Sequence, residues 1–151
     1  MANRYGTGGR SAATAATADN VAAELWNPHG TKSIYVREVW IFSTTAGLSN
    51  WGFARSTAKG TSTLTVTPDA DNAYDRRAVP ASGCTLELTF SAQPTLALPY
   101  LPRGNFAALV GAGGVFAFPQ AIEVPAGTGL CVATPVAVIL PASDISYVWD
   151  E

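Results

Sequence analysis

The chain has 151 residues, a formal net charge of −2 and only 13% charged residues against 48% apolar ones. Its two Lys and seven Arg are scattered, which excludes the clustered basic footprint that phosphate backbones require. No apolar run approaches the ~20 residues that span a bilayer, and no apolar core of a secretory signal follows the first residues, so the reading is a cytoplasmically made protein without membrane or nucleic-acid partners.

Residues 1–20 (MANRYGTGGRSAATAATADN) are small, with Gly6, Gly8 and Gly9, and carry no hydrophobic period that would bury a face. They predict an extended N-terminal arm, flexible or ordered on a partner, preceding a domain over residues 21–151. A short helix over Ser11–Ala18 is the weaker alternative, because Thr14 and Thr17 oppose it and so short a helix is marginal in water.

From Val21 onward, runs rich in Val, Ile, Thr, Trp and Phe alternate with Gly, Pro, Asn and Asp clusters. Residues 32–43 (KSIYVREVWIFS) predict a central strand buried on both faces, with Arg37 and Glu38 pointing to opposite sides. Leu64 and Val66 alternate with Thr63, Thr65 and Thr67; Leu86, Leu88 and Phe90 with Thr85, Glu87 and Thr89; Ile145, Tyr147 and Trp149 with Asp144, Ser146 and Asp150. Each predicts a strand with one wet side. Gly and Pro leave no room for long helices, and eight or nine strands imply an all-β antiparallel β-sandwich, jelly-roll-like in winding.

Tests for chemistry return bland answers. His29 is the sole histidine and sits in the turn sequence NPHGT, so neither a catalytic triad nor a His-rich metal site is expected around it. Cys84 and Cys131, 47 positions apart without metal-like spacing, read as buried reduced thiols. Asp69, Asp71, Asp75 and Asn72 are hard oxygen donors, yet Ala73, Tyr74 and Pro80 stand where a calcium loop needs a ligand, a glycine and a bidentate Glu. The simpler expectation is a solvated loop in which Asp75 pairs with Arg76, Arg77 or a neighbouring subunit. The Gly clusters at 6–9 and 111–114 lack the Lys and Ser/Thr of a phosphate loop and read as turn glycines. Asp144, Asp150 and Glu151 lie at or beside a strand, and glycosidase chemistry needs two carboxyls fixed across a cleft, which sequence spacing does not establish. Trp26, Trp40, Trp51 and Trp149 fit core and interface anchors more simply than a sugar platform. No catalytic set, cofactor-binding set or metal-ligand set is expected, and the chain reads as non-enzymatic.

Residues 24–42 (ELWNPHGTKSIYVREVWIF), 54–78, 124–130 (VPAGTGL) and the closing ISYVWDE together resemble small virion proteins of tailed bacteriophages, of the head-decoration (cement) or fibre-head type. The resemblance spans roughly residues 20–151 and implies a β-sandwich displayed on the virion, commonly a trimer, whose partners are the major capsid protein or other virion proteins. A capsid decoration protein is the first expectation; a tail or fibre module contacting a host receptor and a carbohydrate-binding sandwich are the alternatives. The low charge suits a surface hidden in an assembly. Within the expected arm, Arg4, Tyr5 and Arg10 are the candidate partner-binding residues, since aromatic and Arg side chains carry disproportionate interface energy.

Overall fold

A computed structural model describes residues 3–69, 72–74 and 82–151. Among them eleven strands and no helix occur: β1 Arg4–Ser11, β2 Asn20–Asn27, β3 Ile34–Ser43, β4 Ser49–Ala58, β5 Thr61–Val66, β6 Thr85–Ala92, β7 Thr95–Ala97, β8 Arg103–Phe106, β9 Gly113–Val124, β10 Thr128–Thr134 and β11 Ser143–Asp150. They form two antiparallel sheets packed face to face, one in the order β1-β11-β3-β9 and the other β5-β6-β2-β10-β4-β7, with β8 also pairing β4. The all-β sandwich predicted from the alternation is therefore present. The strand number exceeds the expected eight or nine because β7 and β8 are only 3 and 4 residues long and because β1 was read as an arm.

That reading of residues 1–20 is corrected by the register. Arg4 through Ser11 pair one to one with Asp150 through Ser143 of β11, and Tyr5 is 1% exposed, its ring stacked 5.9 Å from that of Trp149. The glycines that suggested mobility are close-approach positions. A Cβ on Gly8 would fall 2.0 Å from Ser146 Oγ, and one on Gly9 would fall 2.5 Å from Leu88 Cδ1 on the opposite sheet. Gly therefore serves here as a packing residue, and the apolar period is hidden because half of this strand's contribution is space. The boundary at residue 20 does not separate an arm from the sandwich.

The core lies between the sheets: Leu25, Val36, Val39, Ile41, Phe53, Leu86, Leu88, Leu130, Val132, Ile145, Tyr147 and Trp149 are buried. Trp51, Phe53, Phe106, Phe116 and Phe118 make one aromatic cluster, the closest ring pair being Trp51 and Phe116 at 4.3 Å. On β11 the predicted alternation holds, with Ile145, Tyr147 and Trp149 inward.

Two local irregularities change the predicted faces. In β3 the register against β9 slips between Val36 and Glu38. A bulge there turns both Val36 and Val39 inward and leaves Arg37 and Glu38 on the same outer side. The strand is central in its sheet but buried on one face only, since Tyr35 and Trp40 are exposed. In β6, Thr89 adopts φ +56°. Leu86 and Leu88 face the core, whereas Phe90 packs on the other side of the sheet with Val21, Cys131 and Ala133. Leu64 on the edge strand β5 is exposed while Val66 packs against the core.

Candidate functional site

The loops divide unequally between the two ends of the sandwich. At one end gather residues 12–19, 44–48, 107–112 and 135–142. Between Ala12 and Ala18 and throughout the other three loops there is no charged residue; Asp19 closes the first loop, and the exposed Arg10–Asp144 ion pair flanks the first and last. Backbone bonds stitch the loops to one another: Thr14 N donates to Leu140 O, Ser43 N to Ala112 O, Gly111 N to Ser43 O and Thr44 N to Ala142 O. Thr14 Oγ1 accepts from Leu140 N at 2.8 Å, and Gly111 takes the φ of +79° that closes its turn. From this tied frame large apolar side chains project into solvent: Leu48 is 75% exposed, Val110 68% and Ile139 48%, with Leu109 and Val136 beside them. An apolar hollow of about 440 Å³ lies between Ala13, Ala16, Leu48, Val138, Ile139 and Pro141. Single exposed apolar residues are ordinary on protein surfaces; several gathered at one end are not.

Of the residues expected to bind a partner, Arg4 and Tyr5 lie towards the opposite end and Arg10 lies just before the first of these loops; all three are engaged within the chain. Arg4 Nε donates to Asp150 Oδ1 at 2.7 Å, and Arg37 Nε donates to Asp150 Oδ2 at 2.7 Å. Arg10 Nε donates to Asp144 Oδ1 at 2.8 Å. Burial alone would raise the Asp150 carboxyl, but the two guanidinium groups hold it below its ordinary value. Arg4 and Arg10 thus clamp β1 to β11 from outside while Tyr5 anchors it from inside. Of the Asp-rich loop, Asp71, Asp75, Arg76 and Arg77 lie outside the described residues, so the expected Asp75 pairing falls there too. Asp69 N donates to Asn72 Oδ1 in a local turn.

The four tryptophans separate. Trp51 and Trp149 are core, Trp26 is half-buried, and Trp40 is 39% exposed on the outer face of the four-stranded sheet. A shallow cleft of about 370 Å³ runs there between Trp40, Tyr74, Asn72, Gly6, Gly8 and Ser146.

Two buried polar groups escaped the sequence reading because each is assembled from strands distant in the chain. On the outer face of the larger sheet, Glu24 and Glu87 are cross-strand neighbours, both sealed from solvent. Glu87 accepts from Lys59 Nζ at 2.6 Å and from the hydroxyls of Ser62, Thr65 and Thr85. Burial would raise its carboxyl, but these donors bring it down to about 2. Glu24 accepts from Ser56 Oγ and Gly60 N, and for it burial wins and pushes the carboxyl up. One carboxyl held charged beside one held towards neutrality is how adjacent acids coexist in a dry site. Both carboxyls are thus paired within the chain, Glu87 beneath the partly exposed Lys59.

At the end opposite the apolar loops, His29 Nε2 lies 2.7 Å from Glu151 Oε1, and Ser82 Oγ donates to Glu151 Oε2. Gly83 N and the half-exposed Lys32 Nζ also approach Glu151 Oε1, at 3.4 and 3.5 Å. Burial would raise the Glu151 carboxyl, and the bonds from Ser82, His29 and Gly83 hold it below its ordinary value instead. Cys84 lies behind them, its ligand atom and those of His29 and Glu151 all within 4.8 Å of one another. Burial, reinforced by the Glu151 charge, pushes its thiol up to about 12. Cys84 is fully buried behind the two polar side chains. Cys131 is likewise buried, and the two cysteines are unbonded.

Compared with protein families, with curated proteins and with solved structures, the chain has no match in any of the three.

Proposed function

We propose that this chain is a non-enzymatic structural protein of a virus particle, a capsid decoration (cement) protein whose apolar loop end docks onto neighbouring copies in a trimer and onto the major capsid protein. The observation that carries the reading is the apolar loop end, on which Leu48, Val110 and Ile139 project from loops already tied by backbone bonds. Ordering loops on association opposes binding, and here that cost is met in folding. The strand order adds support: β1-β11-β3-β9 facing β2-β10-β4-β7, with the β5-β6 hairpin added at the edge, is the order expected of a jelly-roll winding, an architecture found in viral capsid and lectin domains. Such fold analogy is associational, and the surface bears the functional argument.

The test is binding to phage heads that lack the protein. The parent chain is expected to co-sediment with them, and a double variant, Leu48→Asp with Ile139→Asp, is expected to stay in the supernatant with its β-type circular dichroism unchanged. Undiminished binding by the double variant would remove the apolar end from the role. A second reading, carbohydrate binding, is favoured by one feature alone, the cleft between exposed Trp40 and Tyr74, since sugars stack on exposed aromatic faces. Glycan binding lost on Trp40→Ala, with head binding absent in the parent, would establish that reading instead.

A further inference from the structure

We infer that His29, Cys84 and Glu151 form a three-ligand site for a thiophilic divalent cation of the zinc class, which cross-links the polar end of the sandwich. The inference is independent of the virion reading. The three side chains come from three separate places: the β2–β3 connection, the residue preceding β6 and the residue following β11. A shared ion there would join both sheets.

The donor set has the right chemistry. Imidazole nitrogen, thiolate sulfur and carboxylate oxygen are the three ligand types zinc accepts, and magnesium or calcium would reject the sulfur. The separations also suit. Ligand atoms on a tetrahedral zinc, with bonds of roughly 2.0–2.3 Å, lie about 3.3–3.6 Å apart. His29 Nε2 and Glu151 Oε1, now at 2.7 Å, need to part by roughly half an ångström. No pair of ligand atoms exceeds 4.8 Å, so the largest inward movement is about 1.2 Å. The outer partners of a metal site are in place as well. Ser82 Oγ holds the second oxygen of Glu151 and accepts from Cys84 N at 3.1 Å. The His29 ring lies against Gly83, where a Cβ would come within 2.6 Å of it. Access is through His29, whose side chain is 26% exposed.

On binding, the Cys84 S–H bond breaks, its proton goes to solvent and the sulfur electron pair forms the bond to the cation; no oxidation occurs. Lys32 Nζ, 3.5 Å from Glu151 Oε1, occupies part of the space a cation takes and is exposed enough to swing aside. Lys32 therefore acts as a competitor, and removing it is expected to tighten binding. Three protein ligands leave a fourth position for water or for a donor group from a neighbouring molecule.

The experiment is titration of the full chain with Co²⁺, followed by displacement with Zn²⁺. Expected are one equivalent bound, a near-ultraviolet thiolate-to-cobalt charge-transfer band, tetrahedral visible bands, and a raised melting temperature with zinc. Cys84→Ser is expected to abolish the charge-transfer band and Cys131→Ser to retain it. His29→Asn, in a surface turn, is expected to weaken binding by at least about 100-fold, because even the outer partners of ligands are worth 10–100-fold. Lys32→Gln is expected to strengthen it several-fold. The inference is overturned if the parent shows no charge-transfer band, or if the band survives Cys84→Ser. Should Cys84→Ser fail to fold, unchanged affinity in His29→Asn overturns it equally.

Discussion

The two ends of this sandwich are built on opposite principles. At one, loops of Ala, Thr, Val, Ile and Leu are tied by their own backbone and hold Leu48 and Val110 out into water. At the other, Glu151, His29, Lys32 and Ser82 are gathered into a hydrogen-bonded cluster over the buried Cys84. Burying a polar group costs free energy unless it is paired, and exposing a large apolar one wastes burial that folding would otherwise gain. The polar end meets the first demand within the chain. The apolar end leaves the second unmet within the chain, which is the ground for the proposed docking. Substitutions should therefore separate cleanly: polar-end and buried-carboxylate changes should cost stability, and apolar-end changes should cost association.

The largest effect is expected at Tyr5, which anchors β1 beneath the polar end. Tyr5→Ala removes a buried ring stacked on Trp149 and should cost about 3–5 kcal/mol in urea unfolding, the range for large aromatic deletions. A loss under about 1 kcal/mol would return β1 to the status of an arm. Next comes Glu87→Gln, which leaves Lys59 facing an uncharged partner and unbalances three hydroxyl donors; about 2–3 kcal/mol should be lost at pH 7. Comparing urea midpoints of variant and parent measures it.

The pH dependence should show two opposed slopes. Glu87, Asp150 and Glu151 all have folded values below their ordinary ones. Their contribution is complete above the unfolded carboxylate range, about pH 4–4.5, and is lost as pH falls, for Glu87 down to about 2. Glu24 is raised, so its contribution is complete below that range and is lost as pH rises through its folded value. Glu24→Gln is accordingly expected to flatten the stability profile on the neutral side, and an unchanged slope there would contradict the burial assigned to it. The smallest effect on stability is expected from Leu48→Asp, within about 0.5 kcal/mol, as for surface positions generally.

The sandwich was legible wherever strand alternation was regular, as in Ile145, Tyr147 and Trp149. It was illegible where one residue broke the period: the bulge at Arg37 put Arg37 and Glu38 on one side instead of two, and the positive φ of Thr89 turned Phe90 away from the face of Leu86 and Leu88. It also failed in β1, whose glycines pack by leaving room for Ser146 and Leu88. The charge-free loops were visible as composition, but nothing local says that residues 12–19, 44–48, 107–112 and 135–142 meet at one end. His29 and Glu151 are 122 positions apart, and only the antiparallel return of β11 beside β1 and β3 brings them together.

The most direct test of the central claim is sedimentation at tens of micromolar, about where non-obligate contacts form, of the parent chain beside the Leu48→Asp, Ile139→Asp double variant. The account predicts a trimer for the parent and a folded monomer for the variant, with β-type circular dichroism unchanged. A monomeric parent, or a variant that associates as the parent does, would contradict it.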